Sequence, residues 1–217
     1  MSNDDTRGIN LLIQLFAKRH RITYRALERV TYMPLIALLV IPILIGIWVI
    51  ITFNKLVGLR QMAENGWSDI EVQLKRRADL IPRLVSTVQG YASHEKKLFV
   101  EITEKRNQAL AAGNNPKARG SAEGSLNRPM GRLLAVAEDY PELKASQNFL
   151  DLQNELSETE DKIEMARRFY NGAVRSLNIK IKSVPSNLVA GPLGFRTLDF
   201  FEIDDSERAA PNIEFDA

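Results

Sequence analysis

The residues able to do chemistry are few. The chain has 217 residues and no cysteine, which removes thiol nucleophiles, cysteine-based zinc sites and disulfides. Its two histidines are His20 and His94. His20 falls in a basic run. His94, followed by Glu95, has no second ligand at the i+4 spacing that lets one helix face hold a metal, and it reads as a solvent-facing helical histidine. Glu158, Glu160, Asp161 and Glu164 form the most tempting acidic cluster for a metal. Lys162, Arg167 and Arg168 interleave with them at i,i+4 spacing, so the pattern predicts a salt-bridged helix face. Arg76, Arg77 and Asp79 form a second charged group, for which pairing within or between helices is the expected use. No glycine-rich loop stands between a strand and a helix, so phosphate cradling has no support. No catalytic, cofactor-binding or metal-ligating residues are assigned. The chain is expected to carry no cofactor and not to be an enzyme.

The element that must position everything else is an uncharged gap. Between Arg29 and Lys55 lie 25 residues without a formal charge, with MPLIALLVIPILIGIWVIITF (33–53) at the centre. At helical rise those 21 residues extend roughly 31 Å, the thickness of a bilayer's hydrocarbon core. A secretory signal would start nearer the N-terminus, have a shorter apolar region and end in a small-residue cleavage site. ITFNKLVGLR supplies none. A retained transmembrane helix over 33–53 is predicted, with Leu35, Leu38, Ile41, Ile45, Trp48 and Ile51 as anchor residues. Pro42 removes a backbone donor and is expected to kink the helix. Trp48 and Phe53 near one end and Tyr32 at the other suit the headgroup zone.

The flanks bear on orientation. Residues 1–29 carry six Lys/Arg against three acids, and Lys18, Arg19, Arg21, Arg25 and Arg29 lie close to the span. By the positive-inside rule this arm stays in the cytoplasm and the C-terminal part lies across the membrane. Ile9, Leu12, Ile13 and Phe16 also recur at helical spacing, so the arm (1–32) equally reads as an amphipathic helix on an anionic membrane surface. Nucleic-acid binding is not expected, because the basic stretch abuts a membrane segment and the remainder is nearly neutral.

Residues 54–184 read as a bundle of amphipathic helices. Trp67, Ile70, Leu74, Ile81, Leu84, Val85, Val88, Tyr91 and Ala92 follow one helical stripe, continued by Leu98, Ile102 and Ala109. Pro82 either kinks a helix or marks a junction of two, with Asp79 as the cap of the second. Ala111 to Pro129 collects Gly, Asn, Pro and Ser and predicts a flexible connection. Leu126, Met130, Leu133, Leu134 and Ala137 make a short helix that Tyr140-Pro141 ends. The last helix, from Ser146 to Val184, has the clearest pattern. Phe149, Leu152, Leu156, Thr159, Ile163, Ala166, Tyr170, Ala173 and Leu177 alternate steps of 3 and 4, an a/d seam. The seam serves an intramolecular bundle, or an intermolecular coiled coil that would make the protein a homo-oligomer; the other amphipathic helices favour the bundle.

After Pro185 the pattern breaks. Residues 185–201 are an irregular apolar segment, expected to pack on the bundle or to form a docking surface, with Leu188, Phe195 and Phe201 as candidate docking residues. From Asp199 onward stand seven acids and one base, and 202–217 reads as an acidic disordered tail.

Three blocks carry a resemblance: GWSDIEVQLKRRADLIPRLVSTVQGYASHE (66–95), GRLLAVAEDYPELKASQNFLDLQNELSETEDKIEMARRFYNGAV (131–174) and VPSNLVAGPLGF (184–195). In order and spacing they resemble the LemA family over nearly all of residues 54–201. The resemblance implies an all-α bacterial protein with one N-terminal membrane helix and an elongated antiparallel bundle, of undefined biochemical activity, with the bundle usually described as cytoplasmic. This chain departs from that pattern in the basic residues that precede its anchor, which puts the side of the bundle in question. A long arm also resembles the magnetosome-associated MamQ-like branch, implicated in forming internal membrane compartments.

Together these readings predict a single-pass protein of a bacterial inner membrane or a membrane derived from it. Its partners are the lipid bilayer and unidentified proteins. The expected function is a non-enzymatic scaffold that organises partner proteins or membrane shape. The alternatives are magnetosome membrane or vesicle formation, and a membrane-tethered regulator or sensor whose bundle binds a ligand or partner.

Overall fold

The computed structural model describes residues 37–203, and the chain divides into two units, 1–53 and 54–217. The arm residues Lys18, Arg19, Arg21, Arg25 and Arg29, the anchor residue Leu35 and the tail beyond Ile203 lie outside the described residues. Helix α1 is Asn3–Gln89.

In the first unit the described part of α1 presents apolar side chains all around. Leu38, Ile41, Ile45 and Ile51 are each more than half exposed, Leu38 at 73%. Trp48 is half-buried. Pro42 and Gly46 lie within the helix without ending it. The apolar stretch is long enough to cross a membrane and is almost wholly uncovered by protein.

The second unit contains the rest of α1 with α2 (Lys96–Ala111), α3 (Pro116–Glu138), α4 (Pro141–Lys144), α5 (Gln147–Lys182) and α6 (Asn187–Ala190). Pairings between distant residues fix the helix directions. Arg106 of α2 bonds the Ala78 carbonyl of α1, Arg77 of α1 meets Glu123 of α3, and Arg132 of α3 meets Glu101 of α2. Thus α1 and α3 run one way, and α2 and α5 the other. Short turns between long helices give this alternation directly.

Three apolar clusters stack along the α1–α5 pair. The first joins Ile81, Leu84 and Val88 of α1 to Ile102, Leu133 and Phe149 from α2, α3 and α5. The second joins Ile70 and Leu74 to Ile163, Tyr170 and Phe201. The third joins Leu56 and Leu177 to Ala190 and Phe195. The α5 seam is buried at every position except Ala166, which is half-buried, so its knobs are taken up inside the chain. Tyr91, expected on the stripe, is exposed because the helix has ended at Gln89.

One open choice is resolved and one expectation is corrected. Pro82 lies inside α1 and starts no second helix there. The connection expected over 111–129 shrinks to a turn at 112–115, and α3 begins at Pro116. Gly113 supplies the turn with φ +66, a conformation open to glycine. The Asn115 side chain accepts from the Ala118 amide at 2.9 Å, and Pro116 fills the first helical position, where its missing donor costs nothing. Gly120 costs helix propensity of about 1 kcal/mol. It stays because a Cβ there would stand 2.1 Å from the Glu202 carbonyl oxygen. Tertiary contact overrides propensity in this helix.

Residues 195–203 have no regular secondary structure and form a strap antiparallel to α5. The Asn178 amide grips Leu198 by donating to its carbonyl and accepting from its N–H, both at 2.9 Å. Asn171 grips Phe201 in the same way at 3.0 Å. Seven residues of helix advance about 10.5 Å, and three extended residues advance about 10 Å. The two spacings match, so one helix face can hold the strap by both amides. Phe201, held by Asn171, is fully buried, its ring centroid 5.7 Å from that of Trp67.

Candidate functional site

The charged residues that enter the bundle do so at stripe positions. On α1 the buried series Ile70, Leu74, Ile81, Leu84 steps over residue 77, which falls on the same face (i+3 from 74, i−4 from 81). That residue is Arg77, 3% exposed. On α3 the series Leu126, Met130, Leu133, Ala137 extends back by three to Glu123, 2% exposed. On the α5 seam the matching residue is Thr159, whose hydroxyl is satisfied by the Glu155 carbonyl at 2.7 Å. A polar layer interrupts the apolar core where α1, α3 and α5 meet.

Its geometry is largely self-satisfied. Arg77 Nη1 donates to Glu123 Oε2 at 3.3 Å, and Nη2 donates to Asn127 Oδ1 at 2.8 Å and Glu160 Oε1 at 3.4 Å. Arg119 Nε reaches the other Glu123 oxygen at 3.1 Å. Burial pushes the Glu123 carboxyl above the ordinary carboxylate range, with Arg77 and Arg119 pulling against it. Arg77 Nε is buried with no hydrogen-bond partner.

Beside this layer lies a groove of about 380 Å³, whose lining includes Arg77, Leu134, Leu156, Glu160, Arg167 and Ile203. The groove holds carboxylates and guanidiniums together, and Glu160 is already paired with Arg77. It lacks a cysteine or histidine, so it offers room for a small ligand of mixed polarity and no activated nucleophile.

Two acids of the α5 cluster pair as their spacing predicted. Glu158 pairs with Lys162 at 2.5 Å, which lowers its pKa. Glu164 pairs with Arg168 at 3.7 Å. Glu160 differs, reaching across to α1. His94 is exposed. Among the described residues no three His, Cys, Asp or Glu side chains are grouped to hold a metal.

The candidate docking residues separate. Leu188 is 70% exposed on α6. Phe195 and Phe201 do not form a docking surface: both are core residues, in the third and second clusters. An irregular segment with many aromatic residues must bury them, and the Asn171 and Asn178 amides supply the backbone partners that a helix or sheet would otherwise provide. Tyr170 adds a bond from its hydroxyl to the Asp199 carbonyl at 2.8 Å. Burial, with Asp199 nearby, pushes the Tyr170 pKa up to about 12.

The polar layer was present in the sequence as a pair of charges on apolar stripes. Arg77 and Glu123 each stand three residues from a stripe leucine, and that periodicity is the signal that marks them.

The family model described as LemA family matches residues 66–215, a stretch that contains the polar layer and the strap. Magnetosome protein MamQ 1 and Magnetosome protein MamQ 2 of Paramagnetospirillum magneticum are each 28% identical over 198 residues, covering 78% of this chain and 73% of theirs. Protein LemA of Metamycoplasma hominis is 28% identical over 155 residues, covering 71% of each chain.

Proposed function

This chain belongs to the LemA family, and we propose that it is a single-pass membrane protein whose bundle acts as a non-enzymatic scaffold, organising partner proteins or the shape of the membrane that holds it. The carrying observation is the contrast within the chain: an apolar segment almost wholly uncovered by protein, and a bundle whose buried charges are spent on one another. The first needs lipid around it. The second leaves the outer faces of the helices as the working surface. On α1 and α5 those faces carry Met62, Met165 and Phe169, all large, apolar and about half exposed. A bacterial inner membrane, or one derived from it, is the proposed location.

A photo-crosslinking residue placed at Met62, Met165 or Phe169 in intact membranes tests the reading. Discrete crosslinked proteins are expected, and they should persist when Gly131→Phe fills the groove. Gly131 lines the groove and has open space at its Cβ.

The groove favours a second reading, a tethered sensor that binds a ligand in the bundle. Loss of all crosslinks on filling the groove would select it. The relatives named as magnetosome proteins favour one specific setting for the scaffold, the magnetosome membrane. In a magnetosome-forming host, a tagged copy would then co-purify with magnetosomes.

A further inference from the structure

The end of the second unit built from the start of its α1 segment, the end of α5, and α6 has an unusual surface. Val184, Leu188 and Leu193 are 80%, 70% and 49% exposed, all within ten residues of chain. Single exposed apolar residues are ordinary, but three together on one short turn-rich segment are not. Residues 175–198 contain four bases and no acid. Among the described residues Lys180, Lys182 and Arg196 enter no ion pair, so their charges are open to solvent or to an outside partner. The segment is not loose. Ala190 and Phe195 pack with Leu56 and Leu177, and Ser186 is buried and bonds the Lys180 and Ser183 carbonyls at 2.7 and 2.9 Å. Leu56 follows the uncharged span, which ends at Phe53, by only three residues.

We propose that this α5–α6 end is a second membrane contact, in which Val184, Leu188 and Leu193 enter the headgroup region and Lys180, Lys182 and Arg196 meet anionic lipid. The occupant is a lipid surface for two reasons. Apolar tips flanked by unpaired bases and free of acids match the charge and polarity of an anionic interface. Leu56, which packs in this cluster, follows the last residue of the span by three positions in the chain. The contact rests on the span's being in a membrane, and it would fix the bundle's tilt and rotation where one helix alone leaves both free.

The chain lacks cysteine, so single-cysteine variants label cleanly. In full-length protein reconstituted into vesicles rich in phosphatidylglycerol, an environment-sensitive fluorophore at Leu188→Cys should shift to the blue and be quenched by headgroup-level lipid nitroxides. Labels at Ser176→Cys and Ser93→Cys, both on exposed sites, should not. Replacing Lys180, Lys182 and Arg196 by Gln should lower the quenching, each charge contributing roughly fivefold in the docking equilibrium, and purely zwitterionic vesicles should do the same. Equal behaviour at Leu188 and Ser176, or quenching indifferent to lipid charge, would overturn the proposal. A blue shift without lipid quenching that grows with protein-to-lipid ratio would overturn it in favour of a second copy of the chain. Recovery of every variant in the vesicle fraction would show that failure of this contact is separate from failure of the anchor.

Discussion

Arg77 and Glu123 occupy positions that the stripes of α1 and α3 would otherwise give to Leu or Ile. Their side chains are 4% and 3% exposed, so each needs the other to offset desolvation. Arg77→Met should destabilise the bundle by about 3 kcal/mol, because Glu123 is left buried with Arg119 alone. Arg77→Met combined with Glu123→Leu should recover part of that loss in urea melts. The pH dependence has a definite sign. Burial already raises the folded-state pKa of Glu123 above 4.5, and removing Arg77 takes away the main opposing charge. In Arg77→Met the folded-state pKa of Glu123 rises further, so the deficit is smallest at low pH, where the carboxyl is protonated in both states, and grows as pH rises toward the folded value. A deficit that is flat with pH would mean that the pair is not what holds this layer.

At the scale of elements, the strap depends on two side chains of α5. Asn171→Ala and Asn178→Ala each remove a donor and an acceptor from buried backbone, at about 1–3 kcal/mol each. Amide exchange at Leu198 and Phe201 should quicken by at least tenfold while the α2 and α3 amides keep their protection. Gly120→Val should displace the strap from the other side, since Glu202 backbone atoms lie within 3.2 Å of the Cβ position; Trp67 fluorescence would then move to the red. The sequence explains these elements unequally. The α5 seam and the α1 stripe were legible because packing and 3–4 periodicity coincide. The early part of α3 was not, because Gly120, Gly124 and Pro129 are poor helix formers, and its helix is held by the Asn115 cap and the close approach of the strap. Phe195 and Phe201 were legible as apolar residues needing burial. Where they would bury depended on Asn171 and Asn178, whose roles appear only when two distant segments meet.

At the scale of the whole molecule, the chain joins an uncovered apolar helix segment to a unit whose own core is closed. The uncharged stretch was the plainest feature of the sequence, since a helix buried in a soluble core rarely keeps every face apolar for about 30 Å. The polar layer was readable only as an exception to periodicity, and the choice between groove and outer surface was not readable at all. Alkaline extraction of membranes containing the full chain, compared with an Ile41→Lys/Ile45→Lys variant, tests the central claim most directly. Two lysines near the centre of the span raise its insertion cost by roughly 6 kcal/mol. The account predicts that the native chain stays in the pelleted membrane and that the variant is released with its helical circular dichroism intact. Release of the native chain, or retention of the variant, would contradict it.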